Sequence, residues 1–388
     1  MKFVDIGCIR FQVRKVMIYF DSAASYPILP EALEELQVVF SKHAANPSSA
    51  HLLGEAAAQT IEQTREILAD EIGALKSEII FTSGATESNN LALKSHFYDL
   101  AARGDGHLVI SSFEHKCIHA VADYLQRYAG ICVSVAKPDK NGVVTRAAVE
   151  RVLRDSTSLV SVMHLNNELG TVNPIKEIGE LCFERGIMFH SDAAQSFMKL
   201  PIDVGDMNLD YLSMSAHKIG GPKGIGAVYV RDRRARNLEP VIHGAGQEEG
   251  VRGGTLPTAL IASFGKAVKV FPAAYSELKS AQFKASLVAK LSTLNVPYQL
   301  NGESIDSLVS LTLPRTNVAA LLRDTWEVFS LATGSACSSQ NIEVSHVLAS
   351  IGMQRELAER TLRVSFHHQN TPLEINQLAE KIAIYTSG

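Results

Sequence analysis

Between about residues 55 and 230 the chain repeats one pattern. A short apolar run is followed by a turn of small residues, then by a segment with helical spacing. Alternation of this kind builds strands joined by crossover helices, so the sheet must be mostly parallel and covered by helices. Residues 78–82, 108–110, 159–165, 187–190, 211–214 and 225–230 read as strands, and 86–103 and 116–128 as helices. Pro174 suits the first position of a helix running to about Arg185. Past Pro257 the rhythm changes. A long helical stretch (258–293), strand-like runs at 296–300 and 307–313, helical patterns at 317–326 and 343–351, a strand at 362–366 and an amphipathic helix at 372–385 predict a smaller α+β unit. The expected fold class is α/β, a large domain with a mostly parallel sheet plus a small α+β domain.

Composition narrows the possible functions. A chain of 388 residues exceeds one ordinary single-core domain, and 46% apolar with 20% charged residues is a globular balance. With 37 basic against 41 acidic side chains, the net charge of −4 gives no electrostatic reason for nucleic-acid or membrane binding. No run approaches the roughly 18 apolar residues of a spanning helix. The one basic cluster, 231–236, follows an expected strand and reads as a solvated turn. The five cysteines (Cys8, Cys117, Cys132, Cys182 and Cys337) are odd in number, widely spaced and form no C-x-x-C pair. They argue against a disulfide framework or a structural zinc site, no metal is expected, and free thiols suit a reducing, cytoplasmic setting. Residues 1–16 carry Lys2, Arg10, Arg14 and Lys15 without an apolar h-region, so they read as an N-terminal extension rather than a secretory signal.

Chemistry concentrates after the expected strands. Segment 213–226 places Lys218 at the end of a buried strand beside a glycine-rich turn. A desolvated lysine there has a lowered pKa and can bond a carbonyl cofactor. Asp192 follows another strand and would emerge at the same sheet edge. Pyridoxal phosphate requires such a carboxylate against its pyridinium nitrogen. Ser83-Gly84-Ala85-Thr86-Glu87-Ser88 joins a strand to a helix, where backbone N–H groups and the Thr86 hydroxyl make a phosphate cradle. Phe113-Glu114-His115 puts a histidine where it could lie against an aromatic cofactor. Taken singly, Lys218 reads first as a solvated turn lysine and His115 first as a structural histidine, while Asp192 reads equally as a helix cap. Their conjunction favours a cofactor site.

Together these residues resemble the fold-type-I, class V aminotransferase family, and specifically the NifS/IscS-type cysteine desulfurases. Supporting motifs occur in family order from Tyr19-Phe20-Asp21 to about Ser365. They are Asn46-Pro47-Ser48-Ser49-Ala50-His51, the S-G-A-T-E-S turn, the Glu114-His115 pair, His164-Leu165-Asn166-Asn167-Glu168-Leu169-Gly170, the D-A-A-Q motif, S-A-H-K with its G-P-K-G-x-G tail, and Arg252-Gly253-Gly254-Thr255-Leu256-Pro257. Thr333-Gly334-Ser335-Ala336-Cys337-Ser338-Ser339 resembles the S-G-S-A-C-x-S loop of group I enzymes rather than the R-x-G-x-H-C type of group II.

The resemblance implies an L-cysteine desulfurase yielding L-alanine, with pyridoxal 5'-phosphate carried on Lys218, which would also move the Cα proton. Asp192 would pair with the ring nitrogen, Gln195 with the phenolic oxygen, and His115 would stack on the ring with an acid/base role. Ala85, Thr86, Ser215 and His217 would hold the phosphate, joined by Thr255 from a second subunit of a homodimer. Asn167 and Arg363 would anchor the substrate carboxylate. Cys337 would take the sulfur as a persulfide and pass it to a protein acceptor serving Fe–S assembly, tRNA thiolation or DNA phosphorothioation. No membrane or direct nucleic-acid partner is expected. The implied division is a large cofactor domain at 30–255 and a small one at 17–29 with 256–388, carrying the cysteine loop near 331–342. Departures include Ser22 and Ser25-Tyr26 in the opening motif, Asn173 before Pro174, Glu249, and His367-His368 where relatives carry glycine after the arginine motif. The histidines place bulk near the carboxylate anchor. A selenocysteine lyase or other class V enzyme, and a non-catalytic sulfur-relay homologue, are the alternatives.

Overall fold

The structure, a computed structural model, describes residues 3–6, 9–12, 17–42, 45–103, 106–333, 335–338 and 341–387. Its centre is a seven-stranded sheet: β1 (Ile79–Thr82), β2 (His107–Ser111), β3 (Cys132–Ala136), β4 (Thr157–Ser161), β5 (Met188–Asp192), β6 (Tyr211–Ser215) and β7 (Gly226–Val230). The spatial order is β1-β7-β6-β5-β4-β2-β3. Only β7 runs against its neighbours, pairing antiparallel with β1 and β6, and every other pairing is parallel. Every residue of β1, β2, β6 and β7 is buried, as expected where helices cover both faces. Strand β3, absent from the sequence reading, lies at the sheet edge and is largely exposed.

The helix Ala85–Arg103 follows β1 and the helix Lys116–Tyr128 follows β2. The turn into the first of these lies close to the start of β7. A Cβ on Gly226 would sit 2.6 Å from Gly84 Cα and 2.5 Å from Met214 O, so glycine alone permits this approach.

A second antiparallel sheet contains β8 (Gln299–Leu300), β9 (Leu308–Thr312), β10 (Ala332–Thr333) and β11 (Thr361–Ser365), in the order β8-β9-β11-β10. The apolar core around it combines Ile18 and Phe20 with Leu287, Leu311, Leu362 and Leu378. The early segment is stitched to the end of β11: Ser365 N–H donates to Phe20 O (2.9 Å), Ala23 N–H to Ser365 Oγ (2.9 Å) and Ser22 Oγ to Phe366 O (2.7 Å). The expected single helix over 258–293 is two, Thr258–Ser276 and Ser280–Thr293. The chain bends because it changes cores there, with Phe264 and Phe271 packed in the large core and Phe283 and Leu287 in the small one. Likewise 343–351 opens as a strand, Asn341–Val344, before the helix His346–Ser350 capped by Ser345.

The basic cluster at 231–236 is not simply a solvated turn. Arg233 is buried, Arg231 donates to Leu209 O (2.9 Å) and Val204 O (3.0 Å), and Arg236 pairs with Asp210 (2.8 Å). These guanidinium groups satisfy carbonyls that would otherwise lose water. Phe3–Ile6 pairs antiparallel with Ile9–Gln12. Among the described residues no helix is long and apolar enough to cross a membrane, and no group of three metal-ligating side chains clusters.

One buried ion pair fastens the helix Leu52–Ile72 to the sheet. Arg65 makes a bidentate pair with Glu248 (2.8 and 2.9 Å) and donates to Ile79 O (2.7 Å), while Glu248 accepts from Phe81 N–H (3.1 Å). Arg65→Ala is expected to cost about 3–5 kcal/mol, because the Glu248 carboxylate would be left buried without its counter-charge. Urea unfolding of wild type and variant measures this.

Candidate active site

Strands β1, β2, β4, β5 and β6 share one direction, so their C-terminal ends meet at one edge, where open α/β sheets bind ligands. A cavity of about 500 Å³ lies there, lined by Ala85, Thr86, His115, Asn167, Asp192, Gln195, Ser215, His217, Lys218 and Arg363. Those ten sequence-named residues therefore converge. Thr255 does not line the cavity and is exposed on the single chain. Of Cys337 only the backbone is described, in the strand Ser335–Ser338 opposite Ile342; its thiol, and residues 334, 339 and 340 of the same loop, lie outside the described parts.

Lys218 ends a single 3-10 turn after β6. Its Nζ donates to Ala23 O (2.7 Å) and Ala24 O (2.9 Å). Burial is the main cause that brings its pKa down to about 8, and Arg363 adds to this while Asp192 and Asp21 oppose it. The amine thus loses its proton far more readily than a surface lysine.

Asp192, the last residue of β5, accepts from Asn89 Nδ2 (2.8 Å) and from Ala194 N–H (2.9 Å). Gln195 donates to Ala23 O (2.5 Å), while its Oε1 accepts from Lys199 Nζ (3.1 Å). Because the Ala23 carbonyl only accepts, the first contact settles which end of the amide is the donor. Burial, reinforced by Lys218, brings Lys199 down to about 7.

At the far end, Ala85 and Thr86 open a helix, whose N-terminus favours anions. Ser215 and His217 approach from the β6 side, and His217 Nδ1 lies 3.3 Å from Ser25 Oγ. Burial, with Lys218, Lys223 and Lys199 nearby, lowers His217 to about 4, so its imidazole is neutral near pH 7. Glu87 is not free for an incoming group: it takes the Ser83 N–H (2.7 Å) and pairs with Arg252 (2.8 Å).

His115 is the N-cap of the helix Lys116–Tyr128, its Nδ1 accepting from Cys117 N–H at 3.2 Å. Burial is the main cause that holds its pKa below the usual range. The adjacent Glu114 is fully buried, accepts from Ser111 Oγ (2.5 Å) and Met163 N–H (2.7 Å), and is pushed up to about 8, chiefly by burial. Arg363, on β11, donates to Asn167 O (2.9 Å) and pairs with Asp21 (2.6 Å), while its Nε has no partner among the described residues.

Asn89, Lys199 and the carbonyls of Ala23 and Ala24 escaped the sequence reading, and Cys117 and Asp21 were named there without a place in the site. Asn89 and Asn90 sit within a helix, where asparagine is disfavoured. That was an available signal. Backbone carbonyls leave none. The departure at His367-His368 has a local partner. His368 stacks on Tyr26 with centroids 5.7 Å apart at 12°, and its Nδ1 lies 2.9 Å from the Tyr26 hydroxyl. Two departures from the family pattern, Tyr26 and His368, thus pack on each other.

Comparison with known proteins gives the family. The family model for class-V aminotransferases matches residues 18–378. A mitosomal cysteine desulfurase of Trachipleistophora hominis is 41% identical over 377 residues, covering 94% of this chain and 85% of its own length. The cysteine desulfurase IscS of Pseudomonas putida is 39% identical over 381 residues, covering 95% and 92%. A solved structure described as SspA in complex with cysteine superposes with a TM-score of 0.82 at 43% identity, covering 92% of this chain and 100% of that one. The chain belongs to the class-V aminotransferases and, within them, to the NifS/IscS-type cysteine desulfurases.

Proposed function

We propose that this enzyme removes sulfur from L-cysteine to give L-alanine, using pyridoxal 5'-phosphate in the cavity and Cys337 as the sulfur-accepting thiol. The observation that carries the reading is the amine of Lys218, depressed to about 8, in one cavity with a buried carboxylate and an anion cradle. The donor set fits the cofactor. Hydroxyls of Thr86 and Ser215, the neutral imidazole of His217 and a helix N-terminus suit a phosphate, and Asp192 suits a protonated ring nitrogen. When bound, the cofactor supplies an electron sink that labilises the substrate Cα proton.

The chain's own groups then have separable tasks. Lys218 Nζ anchors the cofactor and takes and returns the Cα proton. Asp192, steadied by Asn89, holds the proton on the ring nitrogen. Gln195, its amide oriented by Lys199, offers N–H to the phenolic oxygen. His115, which lines the cavity, would pack against the ring. Arg363 receives the substrate carboxylate with Asn167 beside it. In the sulfur step the Cys337 thiolate attacks the substrate sulfur. The Cβ–S bond breaks, sulfur stays on Cys337 as a persulfide, and Cβ gains a proton on the way to alanine.

The division at 30–255 against 17–29 with 256–388 belongs to this reading, supported by two apolar cores, although the helix Thr258–Ser276 packs largely in the first. A homodimer in which Thr255 reaches the partner's phosphate site would account for its exposed position. A fully active monomer in sedimentation would contradict that. A cytoplasmic setting and transfer of the persulfide to a protein acceptor complete the proposal.

The direct test is alanine and sulfide formation from cysteine with dithiothreitol, after loading with pyridoxal phosphate. A protein that takes up no cofactor and forms no alanine would refute the reading. Arg363→Ala is expected to raise KM for cysteine roughly 10–100-fold, the scale of a lost charged hydrogen bond. Steady-state alanine assays at varied cysteine measure it.

A further inference from the structure

Cys117 stands between two groups that the cavity is built around. Its Sγ is 3.1 Å from His115 Nδ1 and 3.3 Å from Asn89 Nδ2, and the same Asn89 nitrogen is 2.8 Å from Asp192 Oδ2. The direction of these bonds can be assigned. A backbone N–H only donates, and that of Cys117 is directed at His115 Nδ1, so Nδ1 is an acceptor. The thiol facing the same nitrogen must then supply its hydrogen. The Asn89 amide carries two hydrogens, one for the Asp192 carboxylate and one for sulfur.

We propose that Cys117 is a positioning residue of this active site: its S–H is a second donor to His115 Nδ1, keeping that ring neutral and fixed in orientation, and through Asn89 it ties the ring to Asp192. The inference rests on the reading of His115 and Asp192 as the groups flanking the cofactor. It sets Cys117 apart from Cys182, which is wholly buried among apolar side chains of the large core.

Two further features support the assignment. The thiol keeps its proton, because burial pushes it up to about 11; Asp192 and Glu114 add to this, and hydrogen bonds with Asn89 and Thr86 oppose it. A thiol so held is a hydrogen-bond donor and a poor nucleophile, which separates it from the task of Cys337. His115 in turn faces Lys218 and His346, which favour its neutral form together with burial, and Asp192 and Glu168, which favour the charged one. In that balance a donor on Nδ1 tips the ring further toward neutrality, because a protonated Nδ1 could not accept it.

The test uses the full chain without cofactor, so its outcome is independent of desulfurase activity. Nitrogen-15 histidine labelling follows the titration of His115, its signal assigned by its loss in His115→Gln. In Cys117→Ala the His115 pKa is expected to rise by roughly 0.4–1 unit, the equivalent of one net hydrogen bond. Cys117→Ser, which restores a donor, is expected to return it to the wild-type value. The infrared S–H band of Cys117, isolated by subtracting the alanine variant, should lie at the hydrogen-bonded position and move to higher frequency in His115→Gln. With cofactor loaded, kcat of Cys117→Ala should fall roughly 2–10-fold with KM little changed, and serine should restore it. A wild-type titration in Cys117→Ala would overturn the proposal. So would a serine variant that titrates like alanine, since sulfur would then only fill space. If the wild type proves inactive on cysteine while the titration shifts as expected, the positioning role stands and the proposed substrate falls.

Discussion

Lys218→Ala is expected to lose the visible absorption of bound cofactor and to lower alanine formation from cysteine by at least roughly 10²–10⁴-fold, the range attributed to a positioned proton-transfer group. The loss of the anchoring bond comes on top of that. Borohydride treatment followed by mass analysis of Lys218 peptides distinguishes the two contributions, because wild type retains the cofactor covalently and the variant does not. The pH dependence follows from the depressed amine. Only unprotonated Nζ is a nucleophile, so cofactor uptake by the unloaded chain should climb with pH through about 8 and then level. An unperturbed lysine would still be climbing two units higher. Asp192 favours the charged amine, so Asp192→Asn should move the break to lower pH, whereas Arg363→Ala should move it higher. Uptake that stays flat between pH 6 and pH 10, as an assay range of about that width would reveal, refutes the assignment.

For Cys337→Ser the expectation is the complementary phenotype. The cavity residues are untouched, so cofactor binding and its absorption remain, while turnover falls by about 10³-fold or more, on the scale of nucleophile removal in other enzymes. Serine oxygen does not form the persulfide bond, so mass analysis after a single exposure to cysteine should find one added sulfur on Cys337 in wild type and none in the variant. Unchanged turnover in the variant would eliminate the persulfide route, and the cavity would then need another sulfur acceptor. Cys117, held as a protonated thiol, is a poor substitute.

Most of the large sheet was legible because strands buried on both faces must be nearly continuous apolar runs, as parallel β2 and antiparallel β7 both are. Strand β3 was not. At the edge it needs only one covered face, and Cys132, Ser134 and their neighbours show neither a clean run nor alternation. Lys218, Asp192 and Thr86 announced themselves because each lies at the C-terminal end of a strand or in the turn that follows it. Asn89 did not, since it acts from the second turn of its helix, and Cys117 did not, since a solitary cysteine ordinarily fills space. The carbonyls of Ala23 and Ala24 belong to the backbone and have no signature in residue type at all. His367 and His368 looked like bulk intruding on the carboxylate anchor. In the structure His368 is engaged with Tyr26, a second departure 342 positions away, and only the fold could pair them.

The stitching of the early segment to β11 also imposes an order on how the enzyme is made. Ala23, one of the two residues whose carbonyls hold Lys218, bonds Ser365, 342 positions later, and the adjacent Ser22 bonds Phe366, 344 positions later. At synthesis rates of about 5–20 residues per second, the ribosome needs roughly 17–70 s between making the two halves of that seam. Throughout that interval the lysine turn can emerge, its sheet can assemble and Tyr26 and Leu29 can bond His217 and Gly220, yet Arg363 has not been made. Arg363 is therefore the last of the ten cavity residues to be made, and the cavity is completed only once synthesis has passed β11.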